Sequence, residues 1–190
     1  KVRKKSNPLT GRIVKPLAKL GVKPNQLTFF TIILALVTGW FILNNEFLAA
    51  AIMLLVTGLF DVLDGALARE RKMTSKSGAY YDAMIDRYVD SIIIIAVIIA
   101  SREYFLGTAL LAGVLIIPYA KARAGMEVKV SNVKWPDLME RAERLIVLIV
   151  MLFVAGFSAY YVFPWFLGFL AIITHLTVLQ RMVRARKLLH

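Results

Sequence analysis

Apolar runs long enough to cross a bilayer, separated by short polar breaks, set the plan of this 190-residue chain. A helix needs about 20 apolar residues to span a hydrocarbon core about 30 Å thick. Such runs occupy residues 27–43, 47–70, 79–101, 104–122, 138–158 and 163–185. Asn44 and Asn45 end the first run, and a polar, basic link over 70–77 ends the second. Lys129, Asn132, Lys134 and Pro136 lie in the break after the fourth. The runs are continuous rather than alternating, which argues against a membrane β-barrel. The pattern predicts an all-α integral membrane protein with six transmembrane helices. Residues 1–190 read as a single transmembrane domain, with 27–187 as the bundle and 1–25 as an N-terminal arm. In the arm, Leu9, Ile13, Leu17 and Leu20 recur at helical spacing, and Arg12, Lys15 and Lys19 fall on other faces. That spacing predicts a short amphipathic helix on an anionic membrane surface. A solvated basic tail is the plainer alternative.

Composition agrees with this plan. The chain is 59% hydrophobic and 19% charged, against roughly 45–50% and 25% in soluble domains. Its formal charge of +12 would suggest nucleic acid in a soluble protein. Here the cations are not interleaved with aromatics, and they segregate by side instead. The arm, the link after the second span, the link after the fourth and the C-terminal tail hold nearly all of them, while Arg102 stands alone on the opposite side. The positive-inside rule then predicts a multi-pass cell-membrane protein with both termini facing the cytoplasm, and no nucleic-acid partner. The absence of cysteine excludes disulfides, thiolate chemistry and cysteine-bound zinc. The chain starts at Lys1 rather than Met, which fits a trimmed start, and its first residues do not read as a cleavable leader. No internal repeat is evident.

The chemistry lies in four aspartates set among these apolar runs. One Asp at mid-helix costs roughly 2.5–3.5 kcal/mol on insertion scales, so Asp61, Asp64, Asp82 and Asp86 need a compensating partner. At about 100° per residue, Asp61, Asp64, Gly65, Ala68 and Arg69 form one stripe of the second helix. Gly78, Asp82 and Asp86 form another on the third. The link between these helices is short, so they are antiparallel neighbours and the stripes can meet at the membrane–cytosol boundary. Four hard oxygen ligands suit Mg²⁺, Mn²⁺ or Ca²⁺. Two such ions a few ångströms apart can hold a diphosphate for in-line displacement at phosphorus. Gly65 and Gly78 leave room for close approach to the helix backbone, and Arg69 offers a forked cation to phosphate oxygens. The competing reading is a set of Asp–Arg pairs that merely joins helices. Arg69 and Arg87 could serve, but two arginines do not neutralise four aspartates. A divalent-cation transporter is a second competitor, yet it has no use for a phosphate clamp. Its acids should also continue across the bilayer, where this chain has only Glu46 and Glu103.

Asp61-Val62-Leu63-Asp64-Gly65-Ala66-Leu67-Ala68-Arg69, followed by Gly78, Asp82 and Asp86, resembles the complete signature of the CDP-alcohol phosphotransferases. The six-span layout and the Pro24-Asn25-x-x-Thr28 opening are also similar to that family. The resemblance implies transfer of a phosphate-linked group from a CDP-alcohol to an acceptor hydroxyl, with release of CMP. By this likeness Asp61, Asp64, Asp82 and Asp86 hold two metal ions, Mg²⁺ or Mn²⁺, and Asp86 is also the general base. Pro24, Asn25, Gln26, Leu27, Gly65, Arg69 and Ser75 match positions that contact the CDP part. Ala68 and Gly78 match positions that leave room for the nucleotide. Homodimers are expected from the same likeness.

The acceptor is read from cations outside the signature. Lys121 and Arg123 end the fourth span, Arg141 and Arg144 open the fifth, and Arg181 lies near the end of the sixth. An acceptor with its own phosphate would use such a cluster. Lys121, Arg141 and Arg181 resemble the phosphate-binding cations of the inositol-phosphate-using branch, although Gly125 stands where that branch is expected to carry Glu. The expected donor is CDP-diacylglycerol or CDP-archaeol, and the expected acceptor is inositol phosphate. Glycerol phosphate and serine remain as alternatives. Anchoring of helix ends to anionic headgroups would also account for these cations. His175 reads as a buried, hydrogen-bonded histidine. Trp40, Tyr160, Tyr161 and Trp165 read as an interfacial belt, and Gly107, Gly113, Gly156 and Gly168 as points of close helix packing.

Overall fold

The computed structural model describes residues 24–71, 73–128, 135 and 137–189, together with Pro16. The expected surface helix over 1–25 lies outside the described residues, apart from Pro16, Pro24 and the backbone of Asn25. Six α-helices follow in order: α1 Pro24–Leu43, α2 Phe47–Glu70, α3 Lys76–Ser101, α4 Tyr104–Glu127, α5 Arg141–Ser158 and α6 Phe163–Leu189. A 3₁₀ turn, Ala159–Val162, joins the last two. Among the described residues there is no strand.

Local chemistry sets the turns. Asn44 Nδ2 donates to the Trp40 carbonyl at 2.8 Å, and Asn45 takes φ 62°, a left-handed geometry that Asn tolerates better than most residues. The α1–α2 hairpin follows from that pair. Arg102 ends α3 with φ 61°, its N–H returning to the Ile98 carbonyl. Ser75 caps the start of α3, accepting the Gly78 N–H at 2.9 Å. This cap leaves α3 in the register that puts Gly78, Asp82 and Asp86 on one face.

Helix α1 packs against α2 and α3, α2 against α5, α3 against α4, and α4 against α6. The core is apolar and tight, with Ile42, Leu54, Leu110, Met151, Leu152, Phe163, Leu167 and Leu170 fully buried. Phe47 meets Phe163 edge-on at 5.3 Å between ring centres. The outer surface is also apolar: Ile33, Leu55, Ile99, Ile172 and Leu179 are all more than two-fifths exposed. That inversion suits a bundle surrounded by lipid. Helices α1, α2, α4 and α6 are long and apolar enough to cross a membrane. The two that fall short, α3 and α5, are the two that carry Asp82, Asp86, Arg141 and Arg144.

The glycines divide. A Cβ at Gly107 would lie 2.2 Å from Ile98 Cγ1, at Gly113 2.7 Å from Thr174 Cγ2, and at Gly156 2.5 Å from Leu48 Cγ. Those three permit close approach, as expected. Gly168 does not, because a Cβ there meets nothing within 4 Å. It faces open space on α6. His175 is part-buried, and its Nε2 donates to the Ala109 carbonyl at 3.0 Å.

Candidate active site

Helices α2 and α3 both pack on α1 and scarcely touch one another, so the direct helix pair expected from the short link does not form. The acids at the end of α2 and the start of α3 meet through their side chains. Asp61, Asp82 and Asp86 each bring a carboxylate oxygen to a common spot, with all three atoms within 4.8 Å of one another. Asp64 is not a member of that trio. It is buried and accepts a hydrogen bond from Thr28 Oγ1 at 2.7 Å, so the first helix supports the signature from behind. The four aspartates therefore split into a triad and a neighbour. Asp82 links the two, because it also lines the cleft that Asp64 lines.

That cleft, of about 260 Å³, opens between α1, α2 and the start of α3. Pro24, Thr28, Asp64, Gly65, Arg69 and Asp82 line it, as do Ala68, Ser75 and Gly78. Six of the nine residues expected at the CDP part, Pro24, Gly65, Ala68, Arg69, Ser75 and Gly78, line it. Leu27 does not line it. Leu27 packs instead on Ala66 and Leu67, so it seats α1 against α2. Gln26 is also outside the lining, and the Asn25 side chain lies outside the described residues.

A second cavity, of about 670 Å³, reaches the triad through Arg141, which lines it and contacts Asp61 and Asp86. Lys121, Arg141 and Arg181 all line it, with Arg87 and Arg144 beside them. The three cations from α4, α5 and α6 thus converge as the sequence suggests, but two of them are already engaged. Arg181 donates through Nε to Asp137 Oδ1 at 2.8 Å and through Nη1 to the Ile117 carbonyl at 2.6 Å. It also donates through Nη2 to Asp137 Oδ2. These bonds take three of the five N–H groups of a guanidinium, which leaves two for a ligand. Arg141 Nη1 lies 2.9 Å from Asp61 Oδ1 and 2.9 Å from Asp86 Oδ1, and its Nε donates to Asp90 at 3.2 Å.

Three residues of this region escaped the sequence reading. Asp90 continues the Asp82, Asp86 spacing by one more turn and ties both Arg141 and Arg144 to α3. The i+4 step made it visible, but it lies beyond the signature. Asp137 sits in the irregular segment before α5, where no periodicity marks it. Trp135 lines the second cavity, and its indole N–H is buried without a hydrogen-bond partner. The start of α5 is itself set locally, because Glu143 reaches back to the Glu140 N–H at 2.8 Å, half of a capping box.

The triad suits a divalent cation. Its donors are hard carboxylate oxygens at a convergent spacing, and a guanidinium nitrogen already sits against two of them as a stand-in positive charge.

Comparisons with known proteins agree with this arrangement. An archaetidylinositol phosphate synthase of Pyrococcus horikoshii is 35% identical over 98% of this chain and 96% of its own length. The phosphatidylinositol phosphate synthase of Mycobacterium tuberculosis, solved with CDP-DAG bound, superimposes with a TM-score of 0.81 at 26% identity, covering 94% of each chain. Its structure in complex with manganese and citrate gives 0.81 at 25% identity, over 93% of this chain and 88% of the other. The sequence model of the CDP-alcohol phosphatidyltransferases matches residues 22–179, which takes in the acid triad and the lining of both cavities except Arg181. This chain belongs to the CDP-alcohol phosphatidyltransferase family.

Proposed function

We propose that this protein transfers a phosphatidyl or archaetidyl group from a CDP-lipid to a hydroxyl of inositol phosphate and releases CMP. The observation that carries this reading is a pair of cavities connected at one acid triad, Asp82 lining the first and Arg141, in contact with Asp61 and Asp86, lining the second. The first has the signature glycines, Arg69 and room beside a helix backbone, which suits CDP. The second gathers Lys121, Arg141 and Arg181, which suits an acceptor that brings its own phosphate. The inositol-phosphate products named for the Pyrococcus and Mycobacterium relatives support the same choice.

Asp61, Asp64, Asp82 and Asp86 are the residues that would hold the metal, Mg²⁺ or Mn²⁺, with two ions in the full site. Bound there, such ions neutralise a pyrophosphate and stabilise the charge that grows at phosphorus during displacement. Asp86 takes the proton from the attacking hydroxyl as its oxygen bonds to the lipid-linked phosphorus. The bond to CMP breaks on the opposite side, and the pyrophosphate oxygen leaves with CMP. Lys121, Arg141 and Arg181 orient the acceptor by its phosphate, so the hydroxyl meets phosphorus in line. Arg69 and the Gly65 and Gly78 backbone hold the nucleotide, together with Pro24, Asn25, Gln26 and Ser75.

The same reading includes six membrane spans in one domain over residues 1–190, preceded by a surface helix. Both ends and the site face the cytoplasm of the cell membrane, and the protein works as a homodimer. The lipid keeps its chains in the bilayer while its headgroup occupies the first cleft.

The test is product identification. Protein in vesicles, given CDP-lipid, inositol phosphate and Mg²⁺, forms one phosphoinositol lipid for each CMP released. CMP release without a phosphorylated inositol lipid rejects the assignment.

A further inference from the structure

Two arginines line the acceptor cavity and touch the acid triad: Arg87 reaches Asp86 Oδ2 alone, at 3.3 Å, whereas Arg141 bridges Asp61 and Asp86. A single nitrogen, Nη1, is equidistant from Asp61 Oδ1 and Asp86 Oδ1 at 2.9 Å. Those are two of the three carboxylates that converge. Its Nε is tethered separately, 3.2 Å from Asp90 on the next turn of α3. The guanidinium therefore pivots on a fixed contact and fills, at its tip, the place of a cation. A divalent ion and a guanidinium cannot both take the same pair of oxygens without strong like-charge repulsion in a partly buried site.

We infer that Arg141 is an exchangeable cation: it covers Asp61 and Asp86 while the triad is metal-free, and it turns to the acceptor phosphate when those carboxylates take a divalent ion. The inference rests on the metal and acceptor sites proposed above. Its consequence is that the two sites are coupled. Divalent-ion binding supplies a guanidinium to the second cavity, so metal and phosphorylated acceptor bind more tightly together than apart, and reciprocally so. Charging of the acceptor site before the metal site is filled is thereby disfavoured. Asp90 is the positioning residue of this device. It keeps Nε in place whichever way the tip points, and it retains Arg144 Nη2 at 3.1 Å if Arg141 is removed.

The test is Mn²⁺ binding without CDP-lipid, followed by titration calorimetry on purified protein in nanodiscs. Arg141→Gln removes the guanidinium that bridges Asp61 and Asp86 and leaves Arg87 on Asp86, so Mn²⁺ binds at least about tenfold more tightly than to the unaltered protein. Lys121→Gln removes the same charge from the same cavity without touching the triad, and changes Mn²⁺ affinity by less than about twofold. Inositol phosphate binds the unaltered protein about fivefold or more tightly with Mn²⁺ than without, and that difference shrinks in Arg141→Gln. Should Arg141→Gln fail to fold, Arg141→Lys keeps the charge, loses the Nε tether and gives an intermediate Mn²⁺ affinity. Equal or weaker Mn²⁺ binding in the Arg141 variant overturns the exchange and leaves the proposed activity standing. Failure of Mn²⁺ to bind any of these proteins overturns the exchange and the metal site together.

Discussion

Asp137 holds Arg181 by both carboxylate oxygens, and neither side chain is more than 11% exposed. The pair joins the segment before α5 to the last helix and forms part of the wall of the second cavity. Removing one partner of a buried pair strands the other charge, at about 3–5 kcal/mol. Asp137→Ala therefore loses stability on that scale in denaturant unfolding. Adding Arg181→Met recovers part of the loss, because the stranded charge is gone. Additive losses in the double variant would show that the pair does not act as a unit.

Asp86 belongs to the triad and is the residue proposed to accept the proton. Asp86→Asn keeps its shape and removes its basicity. A general base is worth about 10²–10⁴ in rate, so CMP release falls by at least about 100-fold while CDP-lipid still binds. Turnover near the original rate would remove Asp86 from that role.

Lys121 is the acceptor-cavity cation whose side chain is most open to solvent among the three predicted. Its loss should therefore spare the fold. Lys121→Ala raises KM for inositol phosphate by about 10-fold or more, the scale of one hydrogen bond to a charged group, and leaves KM for CDP-lipid unchanged. A rise in the CDP-lipid KM instead would move Lys121 to the nucleotide side.

The expected stripes on α2 and α3 were readable because each lies within one helix and the link between them is short. Spacing places Asp82 and Asp86 on one face of α3, and the packing of α2 and α3 on α1 brings Asp61 to them. What spacing does not carry is which helix faces that pair from outside. Arg141 is 80 positions from Asp61 in number, and only the packing of α5 on α2 brings them into contact. So Arg141 reads from sequence as a phosphate ligand and not also as a partner of the triad. Asp137 and Trp135 lie in a segment without helical period, where burial leaves no trace in sequence. Asp64 shows a finer limit. It shares the stripe of Asp61, yet its carboxylate accepts a hydrogen bond from Thr28 on another helix and lines the first cleft. Gly168 is a misreading of composition: glycine in a span suggests close packing, and here it borders open space.

The glycine contrast is itself measurable. At Gly113 an added Cβ would press on Thr174 Cγ2, so Gly113→Ala destabilises by about 1–3 kcal/mol. Gly168→Ala meets open space and gains about 0.5–1 kcal/mol of helix propensity. Thermal unfolding in one detergent ranks the two. A loss at Gly168 as large as at Gly113 would mean that α6 is covered there by another surface.

Chelation gives a broad check of the acid cluster. EDTA stops turnover, and Mg²⁺ or Mn²⁺ restores it. Turnover that persists in EDTA would mean that the aspartates act without a divalent ion.

The proposed acceptor carries its own phosphate into the cavity of Lys121, Arg141 and Arg181. The most direct measurement supplies one CDP-lipid with inositol phosphate, glycerol phosphate, free inositol or serine in turn and follows CMP. Rapid release with inositol phosphate, little with glycerol phosphate and none with free inositol or serine is the predicted result. Release that is equally fast with free inositol or serine would contradict it.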